Sequence, residues 1–432
     1  MKLKCLITMV LAGLLGFMQA QNNSNVNSHI KSATALCRVL GDGRKVAAVA
    51  LEYDAAISTK SLSAASFAVE GREVTRVYAN IKPEMASEGI DGQYVVVELA
   101  TAVDLNKQPK RPTPAEMEQK KERDRMQGGP GLRAGWSTGG NDDFSCSAQC
   151  TQTANIKTSK GKTYKPDGIA VETTSVITLV ADDFIQEQFV SPYTGQILPY
   201  NIFIPADYNP EEQYPMVLFI HDAGVASGEI THTLYQGNGA TSWAEPEAQA
   251  RHKCIVVAPE YPFITVDDNW NYSHHLDATI ALIGELQKRY SIDPKRIYTT
   301  GQSMGCMSSI VMMLKQPDLF AGALLVAGKW NPETMGPLDK QNLWIISCEG
   351  DVSSSSLQAE AVAIWRNQGS TVSEATWDMA KPVDELSAEA DKMRAEGAHL
   401  MFTHLTGGNH RATWFVAYGI PSVQDWLFEQ SK

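Results

Sequence analysis

Arg296-Ile297-Tyr298-Thr299-Thr300-Gly301-Gln302-Ser303-Met304-Gly305 decides how the second half of this chain folds. Arg296 to Thr300 reads as a strand and Met304 to Lys315 as a helix, so a Gly-x-Ser-x-Gly pentapeptide stands where a strand turns into a helix. Such a pentapeptide alone is a common accident of composition. Between a strand and a helix it reads as a nucleophile elbow. The turn is tight enough to strain the serine backbone. Glycines two residues to either side avoid collisions with the neighbouring strand and helix. Ser303 Oγ is thereby lifted above the carboxyl edge of a sheet, in front of a helix N-terminus that favours developing negative charge.

Working outward, Tyr200 to Pro205, Met216 to Ile220, Cys254 to Pro259, Gly322 to Ala327, Leu343 to Ser347 and His399 to Thr403 read as further strands. They are mostly continuous apolar runs, as strands buried on both faces require. Helical patterns at Leu276 to Tyr290 and Leu357 to Asn367 lie between them. Strand and helix in alternation predict a mostly parallel central sheet flanked by helices, an α/β architecture.

A hydroxyl needs a base to become a nucleophile at neutral pH. On this topology the partners follow in the order serine, acid, histidine, after later strands. Asp351 lies in the loop beyond the strand Leu343 to Ser347, and is the expected orienting acid; Glu349 is closer to the strand and is the second choice. His410 ends Gly407-Gly408-Asn409-His410, just past the last strand, and is the expected general base. His404 is within or beside that strand and reads as structural. An oxyanion needs donors. The amide of Met304 follows the nucleophile directly, and the amide of Ala223 lies in His221-Asp222-Ala223-Gly224 after the strand Met216 to Ile220. Asp222 stands where glycine is more usual and is expected to point away. Trp270, Trp330 and Trp414 fall in or beside the carboxyl-end loops and are candidates to line the substrate pocket, with core packing as the alternative.

The first half has a different grammar. Over residues 34–104, short strands such as Val46 to Tyr53 and Gln93 to Leu99 are separated by turn signals at Gly41-Asp42-Gly43 and Asp91-Gly92. Their spacing predicts an all-β, immunoglobulin-like sandwich, without sandwich-spanning cysteines to mark an antibody-like version. Residues 106–143 are charged and then glycine-rich, a solvated insertion with one short helix and a flexible loop. Strand-like sequence resumes from Ile169 to Val180. The expected organisation is a signal peptide at 1–20, the sandwich domain at 30–181 and the α/β domain at 182–432.

Lys2 and Lys4, the apolar stretch Leu6 to Phe17, and Met18-Gln19-Ala20 have the layout of a secretory signal peptide cut near Ala20. The apolar stretch is shorter than the roughly 20 residues of a membrane span, so no membrane anchor is expected. The mature protein is expected to be secreted or periplasmic. A net charge of −12 argues against nucleic acid and anionic membrane as partners. Seven cysteines in 432 residues do not make a disulfide scaffold. Cys146 and Cys150 share a polar loop and are placed to pair with each other, whereas Cys254 and Cys348 sit in apolar strands as buried thiols. Gly161-Lys162-Thr163 lacks the preceding glycine of a phosphate loop. There is no Cys-x-x-Cys pair and no His-Glu-x-x-His, and the adjacent His274 and His275 diverge on a helix, so no metal site is indicated.

With Ser303, Asp351, His410 and the His221 to Gly224 loop, residues from about 182 onward resemble an α/β-hydrolase serine esterase. The likeness is to secreted enzymes of the polyhydroxybutyrate-depolymerase and feruloyl-esterase type. It extends to Tyr200-Asn201-Ile202-Phe203-Ile204-Pro205, Ile292-Asp293-Pro294-Lys295-Arg296-Ile297-Tyr298 and Gln316-Pro317-Asp318-Leu319-Phe320-Ala321. Cys306 departs from the pattern, standing where a second glycine is common. Some members carry an immunoglobulin-like N-terminal domain. The resemblance implies hydrolysis of small-molecule or polysaccharide-linked carboxylic esters through an acyl-serine, with no metal and no cofactor. A serine peptidase on the same fold and a non-catalytic binding protein are the competing readings. The ester and the oligomeric state are left open.

Overall fold

The computed structural model describes residues 29–107, 113–126, 144–193, 195–226 and 228–432. The expected signal peptide and the glycine-rich part of the insertion lie outside the described residues.

Nine strands form the large sheet. In spatial order they are Ile185–Val190, Ile197–Phe203, Ile255–Pro259, Tyr214–Ile220, Ile292–Gln302, Gly322–Val326, Leu343–Cys348, Leu400–Thr406 and Val372–Asp378. The first two strands are antiparallel to their neighbours, and from Ile255–Pro259 onward every pairing is parallel. The continuous apolar runs follow from this layout. Met216, Leu218 and Ile220 enter one core, while Val217 and Phe219 enter the other. Leu343 and Ile345 divide from Trp344 and Ile346 in the same way. Each residue of such a strand faces a helical layer, which favours apolar side chains along its whole length.

Helices His275–Arg289, Met304–Lys315 and Val352–Asn367 cover the first face through Leu282, Leu286, Ile310 and Trp365. Val383–Ala395, His410–Ala417 and Pro421–Glu429 cover the second through Leu386, Trp414 and Trp426. Among the described residues no helix is long and apolar enough to cross a membrane.

The N-terminal half is built on a five-stranded sheet in the order Ser175–Thr178, Ile30–Leu40, Gly43–Ile57, Gly92–Leu99, Val74–Asn80. It faces a three-stranded sheet of Phe67–Val69, Gln149–Gln152 and Ala170–Glu172. Val49, Leu51, Val95 and Val97 of the first meet Phe67, Val69 and Cys150 of the second in one core. The last strand of the five-stranded sheet ends at Thr178, and the nine-stranded sheet starts at Ile185. The helix Pro114–Met126 occupies the charged insertion.

The cysteine pairing differs from the sequence expectation. Cys146 bonds to Cys37, 109 residues earlier, and Cys150 is a free buried thiol. Cys37 belongs to the five-stranded sheet, and Cys146 lies on the approach to Gln149–Gln152 of the opposite sheet. A bridge across the sandwich is therefore present after all. Cys150 stays a thiol in the same core between the sheets, where burial pushes its pKa up to about 12. Cys254, Cys306 and Cys348 are also buried and free.

The two halves meet through the hairpin turn between Ile30–Leu40 and Gly43–Ile57. Val39 is buried in the second core of the large sheet. Gly41 lies so close to the helix His410–Ala417 that a Cβ there would stand 2.1 Å from the Phe415 carbonyl oxygen. On the turn's other side, a Cβ on Gly237 would stand 2.7 Å from the Gly41 oxygen. Arg44 stacks over Tyr235, 4.0 Å from the ring centre. Lys107, at the start of the charged insertion, donates a 2.5 Å hydrogen bond to the carbonyl of Asp42.

Candidate active site

Three of the parallel strands deliver the expected side chains to one edge of the large sheet. Ser303 stands between the strand Ile292–Gln302 and the helix Met304–Lys315 with φ 53° and ψ −115°. A non-glycine residue in such a conformation costs of order 1–3 kcal/mol and persists only when its surroundings enforce it. Here they do. A Cβ at Gly301 would lie 2.5 Å from the Gly305 carbonyl carbon, and one at Gly305 would lie 1.9 Å from the Ile220 oxygen. The flanking glycines let the helix start pass directly over the neighbouring strand. Ser303 is pressed into the turn between them.

Asp351 is the N-cap of Val352–Asn367, immediately beyond Leu343–Cys348. Its Oδ1 accepts a 3.4 Å hydrogen bond from the Ser354 amide, and its Oδ2 faces His410 Nδ1 in a very short contact. His410 opens the helix His410–Ala417 after Gly407 and Gly408, both at positive φ. The Asn409 side chain caps that helix, accepting from the amides of Arg411 at 2.9 Å and Ala412 at 3.2 Å. His410 Nε2 is 2.9 Å from Ser303 Oγ. The loops carrying Asp351 and His410 touch through glycine: a Cβ at Gly350 would stand 2.2 Å from the Gly408 oxygen. Burial acts to raise the Asp351 pKa. The hydrogen bond and charge of His410, with help from Ser354, outweigh it and hold the carboxyl below its ordinary value. The acid is thus kept ionised beside the imidazole. Trp414 stands edge-on to the His410 ring with centroids 5.0 Å apart.

Met304 supplies the first amide of its helix, a group without an intrahelical partner. Ala223 lines the same cleft as Ser303. The orientation of its peptide is set by His221. The Tyr261 amide donates to His221 Nε2 at 3.1 Å, so the ring proton sits on Nδ1, which donates to the Asp222 carbonyl at 2.7 Å. In a trans peptide the following N–H points the opposite way, so the Ala223 amide is turned away from the His221 ring. Asp222 is drawn back from the cleft: its Oδ2 accepts from Gln302 Nε2 at 3.1 Å and its Oδ1 from the Gly224 amide at 2.5 Å.

The cleft above Ser303 has a volume of about 310 Å³ and is bounded by Ala223, Met307, Gly328, Lys329 and Asp268 besides Asp351 and His410. None of the three candidate tryptophans is among the residues that line this cleft. Trp270 and Trp330 pack edge to face with each other, 5.5 Å apart, and Trp414 is buried against His410. Glu349 accepts from the Gly407 amide at 2.7 Å and so braces the histidine loop rather than the imidazole. Asp268 and Lys329 were not signalled by the sequence, because neither belongs to a motif. Among the described residues no cluster of three or more His, Cys, Asp or Glu side chains is arranged to hold a metal ion.

A strained serine elbow on a mostly parallel sheet, preceded by a β-sandwich, defines an α/β-hydrolase-like protein with an immunoglobulin-like N-terminal domain. Comparison with known proteins gives the same division. Residues 32–165 match an esterase Ig-like N-terminal domain. Residues 191–417, more than half of the chain, match the putative esterase family, and the chain belongs to that family. The crystal structure of a thermostable esterase superposes with a TM-score of 0.72 at 25% identity, covering 93% of this chain and 100% of that one. Two curated relatives share shorter stretches. Poly(3-hydroxyalkanoate) depolymerase C of Paucimonas lemoignei is 43% identical over 47 residues, 11% of each chain. A probable acetylxylan esterase A of Aspergillus flavus is 28% identical over 122 residues, 26% of this chain and 38% of that one. The chain therefore spans well under half the length of either curated relative.

Proposed function

We propose that this protein hydrolyses carboxylic esters through an acyl-serine intermediate and works outside the cytoplasm. The observation that carries the reading is the hydrogen-bonded line Ser303 Oγ, His410 Nε2, His410 Nδ1, Asp351 Oδ2 at the edge of the sheet. In the first half-reaction Ser303 Oγ bonds to the ester carbonyl carbon as its proton passes to His410 Nε2. Asp351 holds the imidazole in the Nδ1–H tautomer and balances the imidazolium charge. The amides of Met304 and Ala223 donate to the oxyanion. The intermediate then collapses, the ester C–O bond breaks, and His410 gives its proton to the departing alkoxide. In the second half-reaction water attacks the acyl-serine, with His410 again as base, and Ser303 is regenerated as the acid leaves.

The His410 side chain is 40% exposed, so the alcohol departs towards solvent and can belong to a larger body such as a polysaccharide. The names of the two curated relatives, a depolymerase and an acetylxylan esterase, fit polymer-linked esters. The test is a panel of p-nitrophenyl esters beside peptide anilides, with a fluorophosphonate label mapped by peptide sequencing. Ester turnover, resistance to chelators and label on Ser303 are expected. Peptide turnover without ester turnover would make the protein a serine peptidase. Label on another residue would remove the serine assignment.

A further inference from the structure

We propose that an ion pair between Lys329 and Asp268 closes the acyl side of the cleft and limits the protein to short acyl groups. The inference rests on the ester-hydrolase reading and extends it to the acid half of the substrate.

The two ends of the cleft are unlike. His410 returns a proton to the departing alkoxide, so the alcohol must lie on the His410 side, which is open. The acyl group stays bonded to Ser303 and has to occupy the remainder, bounded by Met307, Gly328, Lys329 and Asp268. Lys329 Nζ is 3.0 Å from Asp268 Oδ1 and donates to Ser353 Oγ at 2.9 Å. One ammonium therefore ties together two loops and the first turn of a helix, which follow three different strands: Ile255–Pro259, Gly322–Val326 and Leu343–Cys348.

The backbone that carries each partner is held in place. Lys329 follows Ala327, held at φ 48°, and Gly328, where a Cβ would stand 2.4 Å from the Cys306 Cβ and 2.8 Å from the Ser303 carbonyl. The base of the lysine is thus fixed relative to the nucleophile itself. Asp268 follows Asp267, whose Oδ1 accepts from the amides of Asn269 at 2.9 Å and Asn271 at 3.1 Å, locking the loop. An acyl chain that grows beyond the cleft must part this pair and leave charged groups against methylene. A partly exposed ion pair adds little to stability, so the geometry of this one is free to serve selectivity.

The experiment measures kcat/KM for p-nitrophenyl acetate, butyrate and hexanoate with the wild type, Lys329→Ala and Asp268→Ala. Constant alcohol isolates the acyl side. The wild type should favour acetate over hexanoate. Both variants should raise the hexanoate-to-acetate ratio by about tenfold or more, since methylene discrimination in a pocket spans about 10–200-fold. Asp268→Ala is the second variant because it frees the same ammonium without touching the backbone next to Gly328. A ratio unchanged within twofold in both folded variants, or a wild type that prefers hexanoate, overturns the ion-pair gate while ester hydrolysis stands. No turnover of any ester by the wild type overturns the ester reading and the gate with it.

Discussion

The two domains differ in their cross-linking and in where backbone strain meets the cleft. The N-terminal sandwich carries the Cys37–Cys146 bridge beside one buried thiol, Cys150. The α/β domain keeps Cys254, Cys306 and Cys348 as buried thiols and holds Trp270, Ser303 and Ala327 at positive φ, the last two lining the cleft. A small sandwich with thin sheets gains from a cross-link that restricts its unfolded chain. A sheet clad on both faces by helices has enough apolar burial to hold a strained turn without one. The contrast implies that substitutions at the cleft should damage turnover and spare stability, while substitutions in the sandwich should do the reverse.

The strongest challenge to that separation is Ser303→Ala. Hydrolysis of p-nitrophenyl acetate should fall by up to about 10⁶-fold, the loss seen when a triad nucleophile is removed. The melting temperature should hardly move, because alanine keeps the same backbone; a large drop would show that the hydroxyl is structural. Asp351→Asn should lower kcat by about 10⁴-fold, since the imidazole loses its tautomer-fixing acceptor. It also sharpens the comparison through pH. The Asp351 carboxyl titrates below its ordinary value in the folded protein. Its contribution to stability is therefore fully present above the unfolded-chain pKa of about 3.9, and is lost as pH falls through the lower folded value. Urea titrations should show the gap between wild type and Asp351→Asn narrowing over that acidic range. A gap independent of pH would contradict the shift.

In the sandwich, Cys37→Ser should cost about 2–4 kcal/mol of unfolding free energy under oxidising conditions, with kcat per folded molecule retained. Equal loss of kcat would break the comparison. The smallest effect is expected for Asn409→Ala. Loss of a helix cap costs about 1 kcal/mol, and because His410 is the next residue, a few-fold fall in kcat with little change in KM should accompany it.

The order of the site along the chain was legible because topology dictates it: elbow first, acid after a later strand, base after the last. The central strands were legible because burial on both faces makes their sequences mostly apolar, with only a few buried hydroxyl and amide residues such as Thr299 and Gln302. The edges of the sheet were not. Val372–Asp378 alternates buried Ser373 and Trp377 with exposed Glu374 and Asp378, and the charged helix Val383–Ala395 buries only Leu386, Ala390 and Met393. Half-exposed elements carry a diluted apolar pattern. Ile185–Val190 escaped for the same cause, being an outer strand with Gln186 and Gln188 in its middle. The bridge from Cys37 to Cys146 could not be read because pairing depends on which sheets face each other, whereas the sequence shows only that Cys146 and Cys150 are near neighbours. Asp268 and Lys329 are likewise 61 positions apart and meet only once the loops are placed.

The turn at Gly41 makes the two halves poor candidates for exchange as separate modules. Cutting the gene between the sheets would strip Val39 and the glycine turn from the flank of the helix that begins with His410. The remaining half would expose an apolar scar there. A chimera bearing a foreign N-terminal domain would have to reproduce this side-chain-free tip, so recombination within the family should favour crossovers that inherit the hairpin and the histidine helix together.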